Sequence, residues 1–308
     1  MGTARNALLW ISENRALRQA LPKYRFIRRA VSRFMPGELL EDALQAAERL
    51  KPQGINTVFT LLGENVSDER EAKLEVEHYV DMLRKIQQRG VDTCVSVKLT
   101  HLGLDLNEDL CVTNLVKIIA EAKALGNMVW IDMEQSHYVD RTIAIYKRVR
   151  KDNANVGLCL QAYLYRTEKD LKDLLPHIPA IRFVKGAYKE PTTIAFKKKS
   201  DVDENFFKLS QTMLAQAQNG SMLVVGTHDM PLIRRIQEEA AKHGVKKNGF
   251  EFHLLYGIQA GEQLKLARDG YSIRVLISYG SFWFPWYVRR LAERPANVWF
   301  VVRQMFSS

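Results

Sequence analysis

Eight short apolar runs rich in β-branched residues, each followed by a longer stretch with helical spacing, constrain this chain more than any other feature. The runs fall at 55–62, 93–99, 128–133, 156–162, 181–184, 222–225, 250–255 and 273–277. Helical patterns fill the gaps at about 68–89, 108–125, 138–151, 167–175, 203–218, 230–243 and 261–269, and one more follows the eighth run. Runs that are apolar along most of their length predict strands buried on both faces, as in a parallel sheet covered by helices. Asp68, Asn107 and Thr167 stand where N-caps are expected, and Gly90, Gly126, Gly220, Gly244 and Gly270 stand where helices stop. Eight strand–helix units predict a closed α/β barrel of the (β/α)8 TIM type. An open doubly wound sheet would carry a glycine-rich dinucleotide turn after its first strand. The turn here reads Leu62-Gly63-Glu64-Asn65, and no G-x-G-x-x-G occurs anywhere.

The chain of 308 residues has no Pro/Gly/Ser-rich linker that would divide it. Residues 1–50 read as a basic N-terminal helical arm, with helical spacing at 37–50, and 51–308 as the barrel. Of the formal net charge of +10, most lies at the start: residues 1–35 hold eight basic side chains against Glu13 alone. That arm is either a solvated helical lead-in or a contact for an anionic membrane surface; few aromatic residues interleave with its charges, which argues against nucleic acid. The three cysteines, Cys94, Cys111 and Cys159, form neither a metal motif nor an even disulfide set. Cys94 and Cys159 lie in apolar runs and read as buried thiols, so a reducing cytoplasm is the expected compartment. No run has the length of a membrane-spanning helix, and no signal sequence is legible.

Barrels of this type gather their chemistry where strands end and loops begin. Those ends carry Lys98, Asp132, Gln161, Arg182 with Lys185-Gly186-Ala187, Thr227-His228-Asp229, Tyr256-Gly257 and then Arg289, Arg290 and Glu293. Adjacent arginines repel one another unless an anion meets them, and their planar donor forks suit a carboxylate or phosphate. Ahead of the pair runs the aromatic stretch Phe282, Trp283, Phe284, Trp286, Tyr287, which either packs on a large flat partner or plugs a core. Zinc-type H-E-x-x-H and nucleophile-elbow G-x-S-x-G motifs are absent. A surplus of cations with few carboxylates points to a polyanionic or electron-rich cofactor that carries the chemistry, together with an acidic substrate.

The phrases SVKLTHLGLDL (96–106), WIDMEQ (130–135), LQAYLYRTEKDL (160–171), IRFVKGAYKEP (181–191), VGTHD (225–229), FEFHLLYGI (250–258) and YVRRLAERPAN (287–297), in this order, resemble the proline dehydrogenase family, monofunctional bacterial type. The resemblance covers roughly residues 25–305. It implies a distorted (β/α)8 barrel that binds FAD non-covalently, oxidises L-proline to Δ1-pyrroline-5-carboxylate and passes electrons to a membrane quinone, the first step of proline degradation to glutamate. It implies that Asp132 and Arg182 are the catalytic groups, with Arg182 near flavin N5. Asp132 is read as organising the lysine and the flavin edge, not as a strong base. Lys98, Arg289 and Arg290 are expected at the substrate carboxylate, with Glu293 closing the site. Met133, Gln161, Lys185, Gly186, Ala187, Thr227 and His228 are expected to line FAD.

Three positions depart from the family pattern. Leu276 stands where a tyrosine over the proline ring is usual, Trp286 replaces another common tyrosine, and Ser278 replaces a proline. These departures leave two substrates open: L-proline, with Trp286 or Tyr279 refilling the space, or an analogue such as hydroxyproline. A flavin barrel acting on a folate and a non-catalytic basic barrel serving as a binding module also remain as alternatives.

Overall fold

In the computed structural model, residues 31–63, 65–284 and 287–288 are described. The described chain opens with α1 (Leu40–Leu50) and then alternates β1 (Asn56–Leu61), α2 (Glu69–Arg89), β2 (Thr93–Val97), α3 (Glu108–Ala124), β3 (Val129–Ile131), α4 (Val139–Arg150), β4 (Val156–Gln161), α5 (Thr167–Leu174), β5 (Ala180–Val184), α6 (Lys199–Ala215), β6 (Met222–Gly226), α7 (Met230–Lys242), β7 (Glu251–Leu255), α8 (Ala260–Arg268) and β8 (Ser272–Tyr279). All neighbouring strands are parallel, and β8 pairs back with β1, so the described residues form a closed eight-stranded barrel. All eight strand runs expected from the sequence are present.

The register fixes which side chains fill the barrel. Val58 pairs with both Cys94 and Leu276, Ser96 with Trp130, Cys159 with Arg182, and Arg182 with Val224. Because side chains alternate along a strand, these residues and those two positions away share the inward face. The middle of the interior is packed by Val58, Cys94, Trp130, Ala180 and Val224, with Met128, Met222 and Leu276 against them. Polar inward residues then fall at the two ends. Outward faces pack on the helices in one continuous core, which also takes in Leu40, Ala43, Leu44, Ala46 and Ala47 of α1.

Local signals explain most boundaries. Asp68 accepts the Glu71 amide at 2.8 Å and Asn107 accepts that of Leu110 at 3.0 Å, so both cap as expected. Thr167 does not: it is the first residue of α5, and its hydroxyl donates to the Gln161 carbonyl at 2.6 Å, tying the helix to the end of β4. The helix expected at 203–218 instead begins at Lys199 and ends at Ala215. Lys199 pairs with Asp203 one turn on, which supports the added turn. β8 continues to Tyr279, two residues past its expected end. That extension turns Tyr279 outward, where its hydroxyl meets His78 Nε2 of α2 at 2.7 Å and its ring packs edge-on against Phe59. Tyr279 therefore does not refill the space beside Leu276.

Candidate active site

The C-terminal ends of β2, β3 and β5 bring Lys98, Asp132 and Arg182 together, as their strand-end positions suggested. The Arg182 guanidinium pairs with Asp132 Oδ1, and Lys98 Nζ stands 3.7 Å from Oδ2. Two cations thus share one carboxylate, which leaves a net positive charge to meet an anionic guest. Arg182 is only 3% exposed, and its guanidinium lies 5.3 Å from the centre of the Trp130 ring. Burial works against its charge, but Asp132 beside it prevails and holds its pKa above the ordinary value. Ser96, two residues before Lys98 on the same inward face, donates to Asp132 Oδ1 at 2.8 Å and accepts from Arg182 Nη2 at 3.0 Å.

The β3–α4 segment is built to hold its neighbours. Glu134, 3% exposed, accepts the amide of Thr100 at 3.2 Å and its hydroxyl at 2.7 Å, which anchors the turn that follows Lys98. Gln161 Nε2 donates to the carbonyls of Met133 and Glu134 at 3.3 and 3.2 Å. Glu190 reaches across from the loop after β5 to accept the amide and hydroxyl of Ser136 at 2.8 and 2.7 Å.

Lys185 leaves β5 into a four-charge cluster. It bonds Asp203 and stands 2.7 Å from Asp229 Oδ2, and Lys199 bonds the same two aspartates at 2.6 Å each. Burial disfavours the Asp229 charge, yet the two ammonium groups hold its pKa well below the usual carboxylate range. Lys185 therefore meets any anion with its charge already shared. His228 Nε2 accepts the Leu255 amide at 2.9 Å, so in the neutral ring the proton sits on Nδ1. Thr227 Oγ1 accepts the Asp229 amide at 3.2 Å. Gly186 has φ +114°, and a Cβ there would lie 2.3 Å from the Tyr163 ring, so glycine is required beside that wall. Ala187 follows in the same half-buried loop, and Met133 is buried at the end of β3.

Arg182 Nη1, a donor, and Gln161 Oε1, an acceptor, are buried at this end without a hydrogen-bond partner, as are Thr60 Oγ1, Ser278 Oγ and Tyr163 Oη. Buried polar groups in proteins are normally paired, so a donor and an acceptor left over on adjacent strands fit a planar heterocycle with complementary edges. Leu276 lies on the inward face, half-buried against the packed middle of the barrel. Arg289, Arg290, Glu293 and Trp286 lie outside the described residues. Of the aromatic run, Trp283, Phe284 and Tyr287 are buried and Phe282 is exposed. The Trp283 indole donates to Glu38 at 3.0 Å, Tyr287 packs on Phe34, and the Arg33 carbonyl lies so close to Gly257 that a Cβ there would clash. The segment before α1 thus rests on the β7 and β8 side of the site.

Ser96, Glu134, Glu190, Asp203 and Asp229 are the supporting polar groups that strand-end reading did not assign a role. Ser96 alone carried a usable signal, because it shares the inward face with Lys98 by simple alternation.

The sequence of the proline dehydrogenase family matches residues 43–303. The chain is 36% identical over 299 residues to proline dehydrogenase 1 of Bacillus subtilis subsp. natto, covering 97% of this chain and 98% of that protein. It is 37% identical over 278 residues to proline dehydrogenase of Deinococcus radiodurans, covering 89% of each. Among solved structures, proline utilization A (PutA) from Bdellovibrio bacteriovorus superposes with a TM-score of 0.81 at 20% identity, over 93% of this chain and 38% of that one. That likeness concerns the fold; the chain spans little more than a third of the PutA polypeptide.

Proposed function

Because the chain belongs to the proline dehydrogenase family, we propose that it uses bound FAD to oxidise L-proline to Δ1-pyrroline-5-carboxylate and delivers the electrons to a quinone, opening proline degradation to glutamate. What carries the reading is the Lys98–Asp132–Arg182 constellation, Arg182 buried and the other two half-buried, with Arg182 Nη1 and Gln161 Oε1 unpaired beside it. FAD, when bound, supplies the acceptor for the hydride that leaves the ring carbon next to nitrogen. The nitrogen loses its proton, and a C=N bond forms.

The chain's own residues do the positioning. Arg182 and Gln161 would hold the flavin edge. Met133, Lys185, Gly186, Ala187, Thr227 and His228 would line the rest of the cofactor. Lys98, with Arg289 and Arg290, would take the substrate carboxylate, and Glu293 would close the site. A fixed cation beside an electron-rich reduced flavin stabilises it, and a clamped carboxylate orients the ring carbon for transfer. The test is titration of the cofactor-stripped protein with FAD, FMN and NADPH: FAD alone should bind tightly and stoichiometrically. A requirement for a nicotinamide nucleotide would favour a folate substrate, and failure to bind any flavin would favour a non-catalytic binding module.

A second substrate is favoured by one observation. Leu276 faces inward and Tyr279 is turned out to His78, so Tyr279 does not take the place of the usual ring-covering tyrosine, while Trp286 lies outside the described residues. A smaller side chain at 276 would favour a substituted proline such as trans-4-hydroxyproline if Trp286 does not fill the space. Comparing flavin reduction by the two amino acids decides between them, and a large preference for proline removes the substituted substrate. The basic arm at 1–35 would bring the enzyme to an anionic membrane where quinone resides. Deleting residues 1–22 should then weaken liposome binding at low salt, and unchanged binding removes that role.

A further inference from the structure

We infer that Ser96 is a positioning residue for the proposed reaction: its hydroxyl fixes the Arg182 guanidinium against Asp132, so that Nη1 is the nitrogen left for the bound cofactor or substrate. The inference rests on the functional reading above but stands on separate geometry. Ser96 is fully buried, and a serine hydroxyl has one proton to give and lone pairs to accept with. Its proton goes to Asp132 Oδ1 at 2.8 Å, the alternative acceptor being the Trp130 carbonyl at 3.4 Å. In return Ser96 Oγ accepts from Arg182 Nη2 at 3.0 Å, and the same nitrogen bonds Asp132 Oδ1.

Three groups therefore close a ring. Nη2 carries two hydrogens, and Asp132 and Ser96 take both, so it has nothing left to offer. Nη1 carries the unpaired donors. The Trp130 face holds the guanidinium plane at 5.3 Å, but a face contact alone does not choose between the two nitrogens. Ser96 makes the choice. Its own backbone is fixed from outside the barrel, because the Tyr79 hydroxyl of α2 donates to the Ser96 carbonyl at 2.9 Å.

Without the hydroxyl, Asp132 still attracts the guanidinium, but one Nη2 hydrogen loses its acceptor and the group turns more freely, so the donors aimed at the guest are less firmly fixed. Hydrogen bonds to charged groups are strong enough for their loss to cost about 10- to 100-fold in a rate. The experiment compares Ser96→Ala and Ser96→Thr with the parent, all as full-length protein loaded with FAD. Ser96→Ala should slow the limiting rate of anaerobic flavin reduction by L-proline about 10- to 100-fold, with less than about threefold change in half-saturating proline, because Ser96 bonds Asp132 and Arg182 and not Lys98 of the carboxylate clamp. Ser96→Thr keeps the hydroxyl on a strand that accepts β-branching, and should restore most of the rate.

A second readout is independent of turnover. The 15N-labelled guanidinium of Arg182, identified by its loss in Arg182→Lys, should show resolved Nη signals in the parent and Ser96→Thr and averaged ones in Ser96→Ala. Unchanged rate and unchanged signals in Ser96→Ala overturn the inference. So does a rate loss that Ser96→Thr fails to rescue while the signals stay resolved. If the parent itself is not reduced by proline but the signals collapse in Ser96→Ala, the functional reading fails and the positioning role survives.

Discussion

The two ends of the barrel interior are both charged, yet they are built differently. At the C-terminal end, Lys98 and Arg182 share Asp132, and Arg182 Nη1 and Gln161 Oε1 have no partner. At the N-terminal end, Arg274 bonds Glu251 at 3.1 Å and Asp92 at 2.7 Å and reaches the Thr57 carbonyl at 3.5 Å, while Glu251 also takes His253 at 3.0 Å. There the one guanidinium has two carboxylates. Trp130 separates the two systems, with Arg182 over its ring on one side and His253 edge-on at 5.5 Å on the other. The lesson is that charge in a barrel interior does not by itself mark an active site. A cation in excess with donors to spare awaits a guest, whereas a cation outnumbered by carboxylates stabilises the fold.

The sharpest way to break this contrast is to remove one arginine from each end. Arg182→Met should lower the rate of flavin reduction by about a thousandfold or more, since on the proposed reading it removes a preorganised charge beside the flavin. Arg274→Met should leave that rate within about threefold and instead lower unfolding free energy by about 1–3 kcal/mol, because the half-buried Glu251 carboxylate loses its guanidinium partner while Asp92 is exposed. Stopped-flow reduction and urea unfolding of both variants check the pair. Equal rate losses would dissolve the distinction. Asp132→Asn comes next: with FAD content intact, flavin reduction should slow by about 100-fold, and a rate equal to the parent's would remove Asp132 from the chemistry.

The N-terminal end should also dominate the pH dependence of stability. Burial lowers His253 to about 4 from an ordinary value near 6.5, so between those values the unfolded chain binds a proton that the folded one refuses. Stability from this group is thus complete above about 6.5 and falls as pH drops toward 4, by an amount on the order of 2–3 kcal/mol. Glu251 extends the same trend. Burial opposes its charge, but His253 and Arg274 bring it to about 2, so its contribution is present above the usual carboxylate range and lost as pH falls through about 2. Urea midpoints measured from pH 7 to 4 should fall in the parent and fall less in His253→Gln. The smallest expected effect is at Gly186, where Gly186→Ala should cost about 1–3 kcal/mol from a φ of +114° and contact with Tyr163, seen as a lower melting temperature.

Much of this was legible in the sequence, for a physical reason. Strands buried on both faces must be apolar over most of their length, so the eight runs and the barrel they close could be read directly. Lys98 and Asp132 were legible because a charge just beyond a strand falls at the barrel mouth, and Gln161 and Arg182 because a lone polar residue stands out within an apolar run. What could not be read depends on distance between strands. Alternation with Lys98 places Ser96 on the inward face, but not its bonds to Asp132 and Arg182, 36 and 86 residues away, nor those of Glu134 to Thr100. No local spacing encodes such contacts. Tyr279 does not refill the space beside Leu276 because β8 runs two residues past the expected end at 277, and alternation from inward Leu276 then turns its ring outward.

The most direct measurement is the visible spectrum of the FAD-loaded protein under anaerobic conditions before and after L-proline is added. The account predicts that the oxidised flavin bands bleach in the parent and in Arg274→Met and persist in Arg182→Met. A flavin that stays oxidised in the parent with L-proline and with trans-4-hydroxyproline alike would contradict it.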